Sequence, residues 1–211
     1  MKNSIKVFGF ILSSALVAAA CGSDDTSSTA ATTTATSVST ASTTTGGGNG
    51  GAGGAAVQSS CDTYCASIMA NCTAANAQYS DAATCLASCA GLPEGLASDM
   101  AGNTVGCRIY HAGAAKADAK THCEHAGPGG AGVCGADCEG FCAIAKNSCS
   151  TKYATPAACE TECKAFKDTV PFNAAATSGD SLACRLYHLT AATVTPAVHC
   201  DHITAASAPC K

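Results

Sequence analysis

Tryptophan is absent from this chain of 211 residues, and the remaining aromatics are five tyrosines and five phenylalanines. Large apolar side chains are scarce too. Residues 61–134 hold nine Ile, Leu, Val, Met or Phe, and residues 135–211 hold eleven. The hydrophobic fraction of 47% is therefore mostly alanine and cysteine, and domains of this size need help beyond their core to stay folded. Positive charge is sparse: 11 Lys and Arg against 15 Asp and Glu, with no basic cluster. That argues against a nucleic-acid partner, because phosphate recognition needs concentrated positive charge. No C-x-x-C occurs, so neither a thioredoxin-like redox pair nor a C-x-x-C-H haem attachment is expected. No G-x-S-x-G elbow is present, and the chain is not expected to be an enzyme.

Histidine and arginine are rare in a more informative way. All six histidines and both arginines lie in two matching segments. Cys107-Arg-Ile-Tyr-His111 is followed by His122-Cys-Glu-His125, and Cys184-Arg-Leu-Tyr-His188 by His199-Cys-Asp-His202. A gap of ten residues separates the first and second histidine in each copy. A duplicated segment aligns the chain with itself.

The N-terminus carries Lys2 and Lys6, then an uncharged stretch from Val7 to Ala20. This is short of the ~20 residues a membrane span needs, and the small residues at its end suit signal cleavage. With Cys21 next, the segment resembles a bacterial lipoprotein signal, although Ala18 stands where the lipobox prefers Leu, Val or Ile. The resemblance implies cleavage after residue 20, lipidation of Cys21 and attachment to the cell envelope, with the outer membrane favoured and plain secretion as the alternative. Losing Lys2 and Lys6 takes the net charge from −4 to −6, so membrane association is expected to rest on the lipid. Residues 21–60 are rich in Ser, Thr and Ala and then Gly, with too little apolar surface to offset ordering. They read as a flexible, disordered linker.

Setting Cys21 aside leaves sixteen cysteines in two sets of eight. The first is Cys61, Cys65, Cys72, Cys85, Cys89, Cys107, Cys123 and Cys134. The second is Cys138, Cys142, Cys149, Cys159, Cys163, Cys184, Cys200 and Cys210. An even count in an exported chain implies a disulfide framework. The expected class is all-α: two tandem disulfide-rich helical repeats, at 61–134 and 135–211, after the linker.

Cys61, Cys65, Ile68 and Cys72 fall on one helical stripe, repeated by Cys138, Cys142, Ala145 and Cys149. Thr155-Pro156 and Asp81-Ala82 offer N-caps for the next helix in each set, and Asn103-Thr104 and Asp180-Ser181 for the third. Two antiparallel helices that each carry C-x3-C can be stapled twice, 61 to 89 and 65 to 85. That pattern resembles the α-hairpinin arrangement; beyond it the chain suggests no named domain family. For the other cysteines the favoured pairs are 72–107 with 123–134, and 149–184 with 200–210, because the last pair of the first set closes a Gly/Pro-rich loop at 124–133.

Two readings compete for the histidines. They can be structural, capping backbone groups or filling a small core, with Tyr110 and Tyr187 packed beside them and Arg108 and Arg185 closing helix ends or pairing with Glu124 and Asp201. Alternatively His111, His122 and His125, and His188, His199 and His202, form two Zn or Cu sites. Cys123 or Cys200 could then add a fourth ligand only by leaving its partner unpaired. The functional expectation is a monomeric, non-enzymatic envelope protein without a cofactor, with a binding or structural role toward an unidentified protein or small ligand. The alternative is a Zn or Cu binding protein, and an unrecognised enzyme stands behind both.

Overall fold

The computed structural model describes residues 54–211, with side chains from residue 60. The expected signal peptide, the Cys21 lipidation site and the linker up to residue 53 lie outside the described residues. Those described fall in a single compact unit, are helical and contain no strand.

Eight α-helices follow one another: α1 Gly54–Asn71, α2 Ala82–Cys89, α3 Val105–Ala114, α4 Ala119–Ala126, α5 Asp137–Ser148, α6 Pro156–Cys163, α7 Leu182–Ala192 and α8 Pro196–His199. Short 3-10 turns lie at Ala74–Asn76 and Cys200–Ile203. The expected caps are in place. Asp81, Thr104, Thr155 and Ser181 each accept a hydrogen bond from the backbone N–H three residues on, meeting one of the donors that a helix start leaves unpaired. The stretch read as linker to residue 60 is shortened by α1, which starts at Gly54. Ala55, Ala56 and Gln58 are good helix formers and extend the disulfide-bound turns that follow.

Sixteen cysteines form eight disulfides, four within each set. Cys61–Cys89 and Cys65–Cys85 staple α1 to α2 as expected, and Cys138–Cys163 and Cys142–Cys159 do the same for α5 and α6. The other expected pairs are wrong. Cys72 joins Cys123 and Cys107 joins Cys134; in the second set Cys149 joins Cys200 and Cys184 joins Cys210.

The reason lies in residues 119–126, which are helix and not part of the loop expected at 124–133. Helix α4 turns Cys123 toward the C-terminus of α1, with its sulfur beside the Asn71 carbonyl. Cys134 meanwhile comes back to the first turn of α3 through a turn with Gly130 and Gly135 at φ +100° and +87°, values that favour glycine.

The core is continuous between the two sets. Tyr64, Ile68 and Val105 belong to the same buried cluster as Phe141, Ile144, Leu182, Leu186, Leu189 and Ile203, with cysteines filling the gaps. Helix α7 packs against both α5 and α2. Cross-links between the halves include Asn147 Nδ2 donating to the Ala90 carbonyl at 3.1 Å, and Gln78 Nε2 donating to the Phe172 carbonyl at 3.2 Å. Among the described residues no helix is long and apolar enough to cross a membrane.

Candidate metal centres

Helix α3 carries His111 in its last turn, and after residues 115–118 the chain returns as α4, which carries His122 and His125 at i and i+3 on one face. Asp118 starts α4 by accepting the Thr121 N–H. In the second set α7 carries His188, α8 ends on His199, and the following 3-10 turn carries His202. All six expected residues are thus gathered into two clusters. In each, one ring nitrogen per histidine lies within 4.8 Å of those of the other two.

In five of the six rings the nitrogen that meets a neighbour is Nδ1. His111 Nδ1 lies 2.9 Å from His122 Nδ1. His188 Nδ1 lies 3.0 Å from His199 Nδ1 and 3.3 Å from His202 Nδ1. His125 Nδ1 is buried and has no hydrogen-bond partner among the described residues.

The far side of the leading ring settles its tautomer. His111 Nε2 is 3.2 Å from the Met100 carbonyl oxygen, and His188 Nε2 is 3.2 Å from that of Thr177. A carbonyl only accepts, so Nε2 carries the proton and, in the neutral ring, Nδ1 keeps its lone pair facing the other imidazoles.

Neutrality is favoured by the surroundings. Burial lowers the pKa of His111 and His188, each only 6% exposed, and the neighbouring histidines lower it further, while the Met100 and Thr177 carbonyls work the other way. Burial, then His122, lowers the pKa of His125; burial, then His202, lowers that of His199.

Rigid supports hold each cluster. Arg108 is fully buried and binds three backbone carbonyls: Nη1 donates to Thr104 at 3.2 Å, Nε to Gly127 at 3.0 Å and Nη2 to Pro128 at 3.2 Å. It clamps the end of α4 to α3, beside His125. The Tyr64 hydroxyl donates to the Ala126 carbonyl at 2.6 Å from the other side. Burial raises the Tyr64 pKa well above its usual value, so this donor stays protonated. In the second set Arg185 Nη1 donates to Ser181 at 3.0 Å and Nε to Thr204 at 3.4 Å, with its guanidinium 4.0 Å over the Phe166 ring.

Both arginines therefore close helix ends, but the expected carboxylate partners are not theirs. Arg185 faces Asp180 at 3.5 Å, whereas Asp201 pairs with Lys152. Glu124 lines a separate cavity of about 500 Å³ together with Gln78 and Asp137.

Cys123 and Cys200 are tied into disulfides and provide no thiolate. Cys107–Cys134 and Cys184–Cys210 also approach His111 and His188, again as disulfides. Tyr110 and Tyr187 meet the adjacent histidines edge-on, with ring centres 5.0 and 5.1 Å apart. Tyr110 is 47% exposed and so is less packed than expected. Sequence reasoning missed α4 and the carbonyls behind His111 and His188. Asp118 ahead of a two-histidine i, i+3 pair was the available signal for α4.

Fold and site together define a disulfide-stapled all-α protein with two histidine clusters. The chain belongs to the family described as BfoA family C-terminal domain, whose sequence model matches residues 20–137. That corrects the expectation of no named domain family. The match takes in His111, His122 and His125 and stops at Asp137, the first residue of α5. No curated protein and no solved structure matches the chain.

Proposed function

We propose that the protein is a non-enzymatic cell-envelope protein, lipid-anchored through Cys21, that binds one zinc or copper ion in each three-histidine cluster. The observation that carries this reading is the convergence of three histidine nitrogens within 4.8 Å, made twice in one chain. With metal–nitrogen bonds of ~2.0–2.1 Å, tetrahedral ligand nitrogens stand ~3.3–3.4 Å apart. The closest Nδ1 pairs, at 2.9 and 3.0 Å, need to spread by only ~0.3–0.5 Å to reach that separation. The Met100 and Thr177 carbonyls behind the leading rings are the kind of outer partner that fixes a ligating imidazole. Neutral imidazoles suit Zn and Cu. A purely structural role accounts for the contacts to the two carbonyls but leaves His125 Nδ1 without a partner.

The anchor is supported by the cysteine balance. All sixteen cysteines from Cys61 onward pair with one another, so Cys21 is the odd one.

Elemental analysis of untagged protein, repeated on a His111→Ala, His188→Ala variant, tests the metal reading. The expected outcome is two ions per chain, both lost in the variant. An untagged wild-type protein that takes up neither zinc nor copper on dialysis would overturn it. Replacing Cys21 with Ser should release the protein from membranes; unchanged membrane association would exclude the anchor.

A further inference from the structure

We infer that each bound ion keeps one coordination position open to solvent and takes a small monodentate anion there. The inference rests on the three-histidine reading and adds what the sites would bind.

Donor count is the first argument. Among the described residues, no fourth His, Cys, Asp or Glu joins either trio within the same 4.8 Å reach. The sulfurs near His111 and His188 are locked in Cys107–Cys134 and Cys184–Cys210. Zinc sites closed by the protein have four protein ligands, whereas those with three hold solvent or an exogenous ligand in the fourth position.

Charge is the second argument. Three neutral imidazoles leave a divalent ion its full charge. Three acids in or just before the histidine segments have other contacts. Asp118 caps α4 by accepting the Thr121 N–H, Asp201 is held by Lys152, and Glu124 lines the separate cavity with Gln78 and Asp137. No carboxylate among the described residues comes within the ligand reach of either trio, so a divalent ion there keeps positive charge that favours an anionic ligand over a neutral one.

Access is the third. His122, His125, His199 and His202 are all partly exposed, and Met100 at 58% and Tyr110 at 47% exposure stand beside the first cluster. The leading histidines are buried and the other two of each trio are partly exposed. An ion bound among them would have the buried leading histidine on one side and the two partly exposed histidines on the other.

Cobalt(II) in place of the native ion makes the coordination sphere visible, and azide is the probe anion. The intact protein is first loaded with cobalt, and the bound metal is counted. Azide is then titrated while the visible ligand-field bands are followed. The expected result is a saturable band shift at a stoichiometry of one azide per bound cobalt, with cobalt retained. Unchanged bands with cobalt still bound would show that the chain fills the position and would overturn this inference alone. Release of cobalt by azide without a saturable shift would overturn it as well. Failure to bind cobalt, zinc or copper in the first step would instead sink the three-histidine reading beneath it.

Discussion

Arg108 carries a charge into the interior with no carboxylate of the described residues within hydrogen-bonding distance; its three bonds all go to backbone carbonyls. Lysine lacks the planar fork that reaches Gly127 and Pro128 together. An Arg108→Lys change should therefore leave at least one buried carbonyl unpaired and cost ~2–3 kcal/mol. Denaturant unfolding would measure that, and zinc titration should show weaker binding at the first cluster only.

The histidines set the pH response at the same scale. His111, His125, His188 and His199 have folded-state pKa values below the ordinary histidine value. Below that value the unfolded chain takes up protons that the folded chain refuses. Their contribution to stability is therefore complete above about pH 6.5 and is lost as pH falls through the lowered folded-state values. Melting temperature of the metal-free protein should drop between about pH 7 and pH 5. The drop should be shallower in the His111→Ala, His188→Ala variant, and equal slopes would contradict the assignment.

Helix starts were the most legible elements, because capping is local chemistry. Asp81, Thr104, Thr155 and Ser181 announce themselves through side chains that bond the backbone three residues on. Thr104→Ala and Ser181→Ala should each cost about 1 kcal/mol in thermal or chemical unfolding. The C-x3-C spacing likewise located the α1–α2 staples, since i, i+4 cysteines share a helix face.

The remaining disulfides were illegible because their geometry depends on an element the sequence hides. Helix α4 is only eight residues long, follows a short connection and carries no apolar stripe beyond Cys123 and Ala126. Without it, Cys123 seemed free to close the following loop. With it, Cys123 faces α1 while His122 and His125 turn the other way. The histidine trio could be suspected from its spacing, yet the shared Nδ1 orientation depended on the Met100 and Thr177 carbonyls, which no motif encodes. Replacing Cys72 and Cys123 together with Ala should cost ~2–4 kcal/mol. It should also weaken zinc binding at the first cluster by releasing α4, leaving the second intact. Equal loss at both clusters in a titration would refute that local coupling.

Across the whole molecule, sulfur replaces bulk. Cysteines supply sixteen members of the buried set, and the disulfides constrain an unfolded chain that a small apolar core alone would hold poorly. The closures between Cys72 and Cys123 and between Cys149 and Cys200 span 51 residues each, which on a chain-entropy view makes them the most stabilising, at ~4 kcal/mol apiece. Dithiothreitol should therefore abolish the cooperative melt seen in the oxidised protein by circular dichroism. A melt that reductant leaves unchanged would exclude this account.

Cys123 sits between two of the proposed ligands, and Cys200 immediately follows a third. Before oxidation, sixteen thiols in an unfolded chain would compete with six imidazoles for any zinc or copper, and thiolates are the softer donors. The disulfides remove these competitors and at the same time build the clusters. Chronology follows: sulfur chemistry comes first and ion capture second, so a metal-filled molecule would be a receipt for completed oxidation.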